Sequence, residues 1–265
     1  HTPQASEHLA DGLIKGSLLH TSIDESTVIF DGTFQGNPVI IKETNDPSTI
    51  HMIQREHDFL ITPPIEPINA NLKDYGIPSD WKIQTRFVQL IGKAITPEMY
   101  RRGTIVLEKA QGKALSSEPT SIPFKFHFGA LMGYIDMMRQ LSKKNIALDS
   151  NIDTDLFIMP DVQKHRLDVV RIDCMPTIGG SNEPSAMQSP EYWRKANIGS
   201  RNLTYEQLAV DQVIEITNML YPKSNPAWNF LGSMIPALSG RFKEADINSA
   251  ETLFDRFKDG LARSN

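Results

Sequence analysis

Thr27-Val28-Ile29-Phe30-Asp31-Gly32-Thr33-Phe34-Gln35-Gly36-Asn37-Pro38-Val39-Ile40-Ile41-Lys42 is the stretch that decides the fold. β-Branched and aromatic residues gather around two glycine dipeptides, Asp31-Gly32 and Gly36-Asn37, and both dipeptides accept the positive φ of a tight turn. The reading is a strand over 27–30, a turn at Asp31-Gly32, a second turn at Gly36-Asn37, and a strand over 38–42 that ends in lysine. Asp46-Pro47-Ser48-Thr49 then starts a helix, with an acceptor side chain ahead of a proline in the first turn. Ile50, Ile53, His57 and Leu60 line one face of that helix, which also carries Glu56, fourteen residues beyond Lys42.

Outward from this core, residues 62–97 are punctuated by prolines and hold one expected strand within 81–91. Residues 104–108 form an apolar strand closed by a Gln111-Gly112 turn. After Pro123 the period changes: Phe128, Leu131, Ile135, Met138 and Leu141 recur every three or four positions, which predicts a helix. Short strands are expected over 156–159 and 167–172 around a Pro160-Asp161 turn. Helices are expected over 203–220 and 249–261, the second burying Leu253, Phe254 and Phe257. Residues 177–188 read as a polar loop. Strand-rich sequence gives way to helix-rich sequence near residue 110, so two parts are expected, 1–108 and 109–265, joined through 109–115.

The bulk numbers exclude several classes. A chain of 265 residues with 40% hydrophobic content can build a buried core. No run approaches the roughly 20 apolar residues of a membrane span, and no charged start with an apolar stretch marks a secretory signal. Cys174 is the single cysteine, which excludes internal disulfides and leaves oxygen or imidazole to hold any metal. The formal net charge of −5 argues against a nucleic-acid partner, and Lys164-His165-Arg166 reads as a solvated turn. His57, His127 and His165 lack metal-ligand spacing, and Met132, Met137 and Met138 suit helix packing.

Taken in order, Val39-Ile40-Ile41-Lys42, Glu56, Leu148-Asp149-Ser150-Asn151, Ile172-Asp173-Cys174 and Ser189-Pro190-Glu191 resemble the eukaryotic-type protein kinase superfamily, as a compact and divergent member over residues 12–263. The resemblance implies an α+β, two-lobed protein-kinase-like fold, with a strand-rich N-lobe carrying one main helix (1–108) and a helical C-lobe (109–265). It implies ATP and Mg²⁺ as cofactors and transfer of the γ-phosphoryl group to a protein hydroxyl, of Ser or Thr. Lys42 would meet the α- and β-phosphates and Glu56 would anchor it. Residues 105–112 would join the lobes, with Leu107 behind the adenine and the backbone of Glu108 and Ala110 bonding the base. Ser26 and Val28 would complete the nucleotide contacts. Asp149 would orient the accepting hydroxyl, and Asp155 and Asp173 would hold the metal. Glu191 would pair with Arg241, and Asp211 would accept from the backbone of the catalytic loop.

The departures from the family pattern define the alternatives. Ala147-Leu148 stands for His-Arg, which implies activity without activation-loop phosphorylation. Asp155 stands for asparagine, which adds negative charge and raises metal demand or favours Mn²⁺. Cys174-Met175 stands for Phe-Gly, and thiol reagents are expected to modify Cys174 more slowly with Mg-ATP bound. One glycine, Gly16, with Ser17, Ser22 and Ser26, stands for a glycine-rich loop. A pseudokinase that binds a partner protein would fit these departures; a small-molecule phosphotransferase of the aminoglycoside-kinase type is a third reading, a class that lacks the Pro-Glu segment and the central-helix aspartate. The expected partner is a protein substrate or binding protein. The expected location is the cytoplasm, or a host cell's cytoplasm if the chain is a delivered effector, by analogy of size.

Overall fold

Leu13 opens a long antiparallel meander because the sequence from there to Thr44 is interrupted only by residues that turn or bend a strand. The computed structural model describes residues 6–22, 25–114, 124–144, 146, 148–149, 155–176, 254–255 and 258–259. Its first strands are β1 (Glu7–Ala10), β2 (Leu13–Thr21), β3 (Thr27–Phe34) and β4 (Asn37–Thr44). The expected turn at Asp31-Gly32 is corrected: both residues lie inside β3. A Cβ on Gly32 would stand 2.7 Å from the Ile14 carbonyl oxygen and 2.8 Å from Ile41 Cδ1, so this glycine permits close approach within the strand. The hairpin turns instead at Gln35-Gly36, whose φ values of 50° and 80° are both left-handed, and Phe34 pairs with Asn37 directly across it.

The chain continues through α1 (Ile50–Ile61), β5 (Ile68–Asn71), β6 (Lys82–Phe87), α2 (Pro97–Arg102) and β7 (Thr104–Glu108). The predicted helix start holds: Asp46 accepts from the Ser48 N–H at 2.9 Å over a short 3₁₀ turn that leads into α1. His1–Pro63 with Phe87–Ala110 form one compact unit. Its five-stranded sheet runs β1-β2-β3-β4-β7, every neighbour antiparallel. One face carries the core of Leu13, Phe34, Val39, Ile41, Ala94, Met99 and Val106. The other carries Ile29, Ile40, Lys42, Ile105 and Leu107 by alternation, and helix α1 packs on it.

Pro64–Arg86 and Gln111–Asn265 form the second unit, so 64–86 stands apart from the rest of the 1–108 segment expected from sequence. Here lie β8 (Lys113–Ala114), α3 (Phe124–Ser142), β9 (Leu148–Asp149), β10 (Leu156–Asp161), β11 (Arg166–Arg171) and β12 (Met175–Pro176). Five strands form a sheet in the order β5-β6-β11-β10-β8, and β12 pairs with β9. The described part of this unit is therefore mixed sheet and helix, and the strands expected over 156–159 and 167–172 are β10 and β11. The Pro160-Asp161 turn is also corrected. Both residues belong to β10, pairing with Leu167 and Arg166, and the chain turns at 162–165, where His165 has φ 45°. Pro160 is tolerated because β8 reaches only Phe157 and Ile158, so no neighbour awaits a proline N–H on that side.

Helix α3 is buried over most of its circumference, with Ala130, Leu131, Met132, Tyr134, Ile135, Met137 and Met138 all enclosed. Its Asp136 is satisfied by the Tyr75 hydroxyl at 2.8 Å and by Arg139 at 2.6 Å. Phe254 packs edge-on against Tyr75 at 5.7 Å. Most of the expected helices over 203–220 and 249–261, the loop over 177–188, Glu191, Asp211 and Arg241 lie outside the described residues. No helix among the described residues is long and apolar enough to cross a membrane.

His127, 1% exposed on α3, gives this unit an acid sensitivity. Burial lowers its pKa, so the folded state resists a proton that the unfolded chain takes up near the ordinary value of 6.5. Stability therefore falls as pH drops through about 6.5 and below, and is unaffected by this group at higher pH. Urea titrations at pH 8 and pH 5 are expected to show His127→Gln losing less stability on acidification than the wild type; equal losses would contradict this.

Candidate functional site

Lys42 sits where β4 passes between β3 and β7, directly opposite Ile29 on one side and Ile105 on the other. Strand alternation turns its side chain away from the core face and toward α1, where Glu56 Oε2 meets Nζ at 2.7 Å. The lysine is 7% exposed and the glutamate 0%. A pair withdrawn from water in this way needs good geometry to offset desolvation, because two unpaired charges at that depth would cost several kcal/mol each. The ammonium is thus held rigidly from within β4, two residues before the strand ends.

The other nucleotide candidates in this unit divide. Leu107 lies on the Lys42 face, opposite Ile40, and is buried. Asp31 shares that face, with its carboxylate 3.2 Å from Lys109 Nζ. Val28 pairs with Glu43 and so falls on the opposite face from Lys42; Ile29 occupies the position across from the lysine. The Glu108 N–H is donated to the Gln89 carbonyl at 2.9 Å, and its side chain accepts from the Gln89 N–H at 2.8 Å. Ala110 is half-buried beyond the end of β7.

Between β2 and β3 the backbone is already engaged. Ser22 N–H donates to the Thr27 carbonyl, Glu25 N–H to the Ser22 carbonyl, and Thr27 N–H to Ser22 Oγ at 3.0 Å. The Ser26 carbonyl accepts from Thr44 Oγ1 and from the Asn45 N–H, each at 2.9 Å. A phosphate-cradling loop offers its N–H groups outward; here three of the described ones close the turn on itself.

In the second unit the acidic candidates share one end of the β10–β11 hairpin. Leu156 pairs with Arg171, and the ladder runs one step further, the Ile172 N–H donating to the Asp155 carbonyl at 2.8 Å. Asp155 is 8% exposed and Asp173 half-buried. β12 returns alongside β9 with Met175 opposite Asp149, so the backbones of Asp149, Asp155 and Asp173 are drawn together by two pairings. Asp173 has φ 55°, a left-handed conformation that aspartate adopts at a cost of roughly 1 kcal/mol.

Arg171 was not anticipated. It is 0% exposed, its Nε donates to the Ile172 carbonyl at 3.0 Å, and its guanidinium lies 5.8 Å from the Tyr134 ring centre. The signal was present in the sequence: an arginine that follows Leu167 and Val169 in strand alternation. Cys174 is fully buried, with its thiol 3.4 Å from the Arg171 carbonyl, so reagents reach it only after local opening. Among the described residues no group of three or more His, Cys, Asp or Glu could hold a metal. Two carboxylates remain, which suits a magnesium ion that takes its other ligands from water and substrate phosphates.

Neither a family model nor a curated protein matches the sequence. Among solved structures, the crystal structure of monomeric WbdD is similar, with a TM-score of 0.48 and 16% identity over 89% of this chain and 45% of that one. This chain thus spans less than half the length of that protein.

Glu56→Leu strands the Lys42 ammonium in the interior and is expected to cost about 3–5 kcal/mol in urea unfolding. Adding Lys42→Met removes the stranded charge and should restore most of that stability. Independent, additive losses would contradict a direct buried pair.

Proposed function

We propose that this protein is an ATP-dependent protein kinase, transferring the γ-phosphoryl group to a serine or threonine hydroxyl of a protein substrate. The observation that carries the reading is the buried pair of Lys42 on β4 and Glu56 on α1 at 2.7 Å. A lysine fixed by a helical glutamate is a preset cation for a polyphosphate, and uses binding energy without ordering a flexible side chain. ATP would supply the phosphoryl group, with magnesium neutralising charge on it.

Each residue then has one task. Lys42 would bind the α- and β-phosphates, and Glu56 would hold the ammonium in position. Leu107 and the backbone of Glu108 and Ala110 would receive the adenine. Asp155 and Asp173 would supply oxygen ligands to Mg²⁺, or to Mn²⁺, and Asp149 would orient the accepting hydroxyl. The kinase-like fold, in this reading, comprises the strand-rich unit with α1 and the unit that carries the three aspartates.

A second reading, a pseudokinase that serves as a protein-binding scaffold, draws on the turn between β2 and β3. Its N–H groups at Ser22, Glu25 and Thr27 are bonded within the turn, which weakens any grip on phosphate.

Radiolabelled ATP, offered with Mg²⁺ and with Mn²⁺ to the chain itself and to a generic basic protein, separates the two readings. The kinase reading expects transfer by the wild type and a loss of at least about 100-fold in Asp173→Ala. No wild-type transfer with either metal would contradict it and leave the scaffold.

A further inference from the structure

Strand β11 is apolar inward, with Leu167, Val169 and Val170 buried, and then ends in a buried arginine. An apolar side chain of similar volume would satisfy the packing with no charge to desolvate, so the guanidinium needs a positive reason to be there. Its hydrogen bond supplies one. The Ile172 carbonyl that accepts from Arg171 Nε belongs to the peptide unit whose N–H is that of Asp173. Fixing that peptide plane sets one side of the φ torsion of Asp173, which is the strained, left-handed one.

The neighbouring bonds complete the constraint. Ile172 donates its own N–H to the Asp155 carbonyl, and Cys174 Sγ lies 3.4 Å from the Arg171 carbonyl. The backbone between Arg171 and Cys174 is therefore tied at three successive groups, one of them directly to the residue that bears the second carboxylate.

We propose that Arg171 is a positioning residue: through its bond to the Ile172 carbonyl it sets Asp173 against Asp155, so that the two carboxylates act on one divalent cation. The inference rests on the phosphotransfer reading, in which these aspartates hold the metal. The surroundings agree with a permanent cation: burial opposes the charge, but Tyr134, Asp155, Cys174 and Asp173 together favour it.

The test compares side chains that differ in the donor alone. The Nε2 of glutamine lies as many bonds from Cα as the Nε of arginine and can donate to the same carbonyl; the terminal methyl of methionine lies there without a donor. Mn²⁺ alone is titrated into the full chain and free Mn²⁺ is read by electron paramagnetic resonance, for wild type, Arg171→Gln, Arg171→Met and Asp173→Asn, with circular dichroism recording folding. The proposal expects wild-type binding, loss in Asp173→Asn, an affinity within about threefold of wild type in Arg171→Gln, and a loss of about tenfold in Arg171→Met, the scale of one hydrogen bond from a charged donor. Purely structural burial would not separate glutamine from methionine. Equal affinities in those two variants, or a tenfold loss in Arg171→Gln, would overturn the positioning role while leaving the metal reading intact. If Arg171→Met does not fold, the Arg171→Gln result alone decides by the same threshold. No Mn²⁺ binding by the wild type, or undiminished binding in Asp173→Asn, would overturn the proposal together with the metal reading beneath it.

Discussion

A lysine and a glutamate removed together from water constrain the first unit more tightly than any apolar contact in it. Lys42 can lie inside only where Glu56 meets it, so the ion pair couples the register of β4 to the position of α1. A slip of one residue in β4 would carry Lys42 to the face built from Val39, Ile41 and Val106, away from Glu56. Apolar residues alone would tolerate neighbouring registers far better. The pair is costly as a source of stability and effective as a specification of geometry.

The second unit uses a buried cation differently. Arg171 spends its guanidinium on the backbone next to an aspartate in a disfavoured conformation, and the pairing of β9 with β12 brings Asp149 to the same end of the hairpin. Asp136, Tyr75 and Arg139 form a separate satisfied network on α3 and β5's flank, which holds the helix without contributing a group to the acidic end. Buried polarity in this chain is thus of two kinds: networks that fix elements, and single groups that fix a functional residue.

Much of this architecture was legible where local chemistry and tertiary context agree. The alternation of 38–42, the Asp46-Pro47 helix start and the strand over 104–108 each appear in the structure because propensity and burial point the same way. Gly32 misled because a glycine that admits a neighbouring carbonyl looks, in one dimension, like a glycine that turns. Pro160 misled because the short reach of β8, invisible in sequence, decides whether its missing N–H matters. Among the site candidates, the fourteen-residue spacing of Lys42 and Glu56 was readable since a strand, a turn and two helical turns fix it. The face of Val28 was not, because it depends on the pairing register. Arg171 was overlooked for a related reason: an arginine at a strand end is ordinarily solvated, and only its burial reveals its task.

The most direct test of the central claim, that the Lys42–Glu56 pair presents a cation to nucleotide phosphate, is the shift in unfolding temperature on adding Mg-ATP to wild type and to Lys42→Met. The account predicts a rise for the wild type, since a ligand that binds only the folded state stabilises it, and little or none for the variant. Equal shifts in both proteins, or no shift in either, would contradict it.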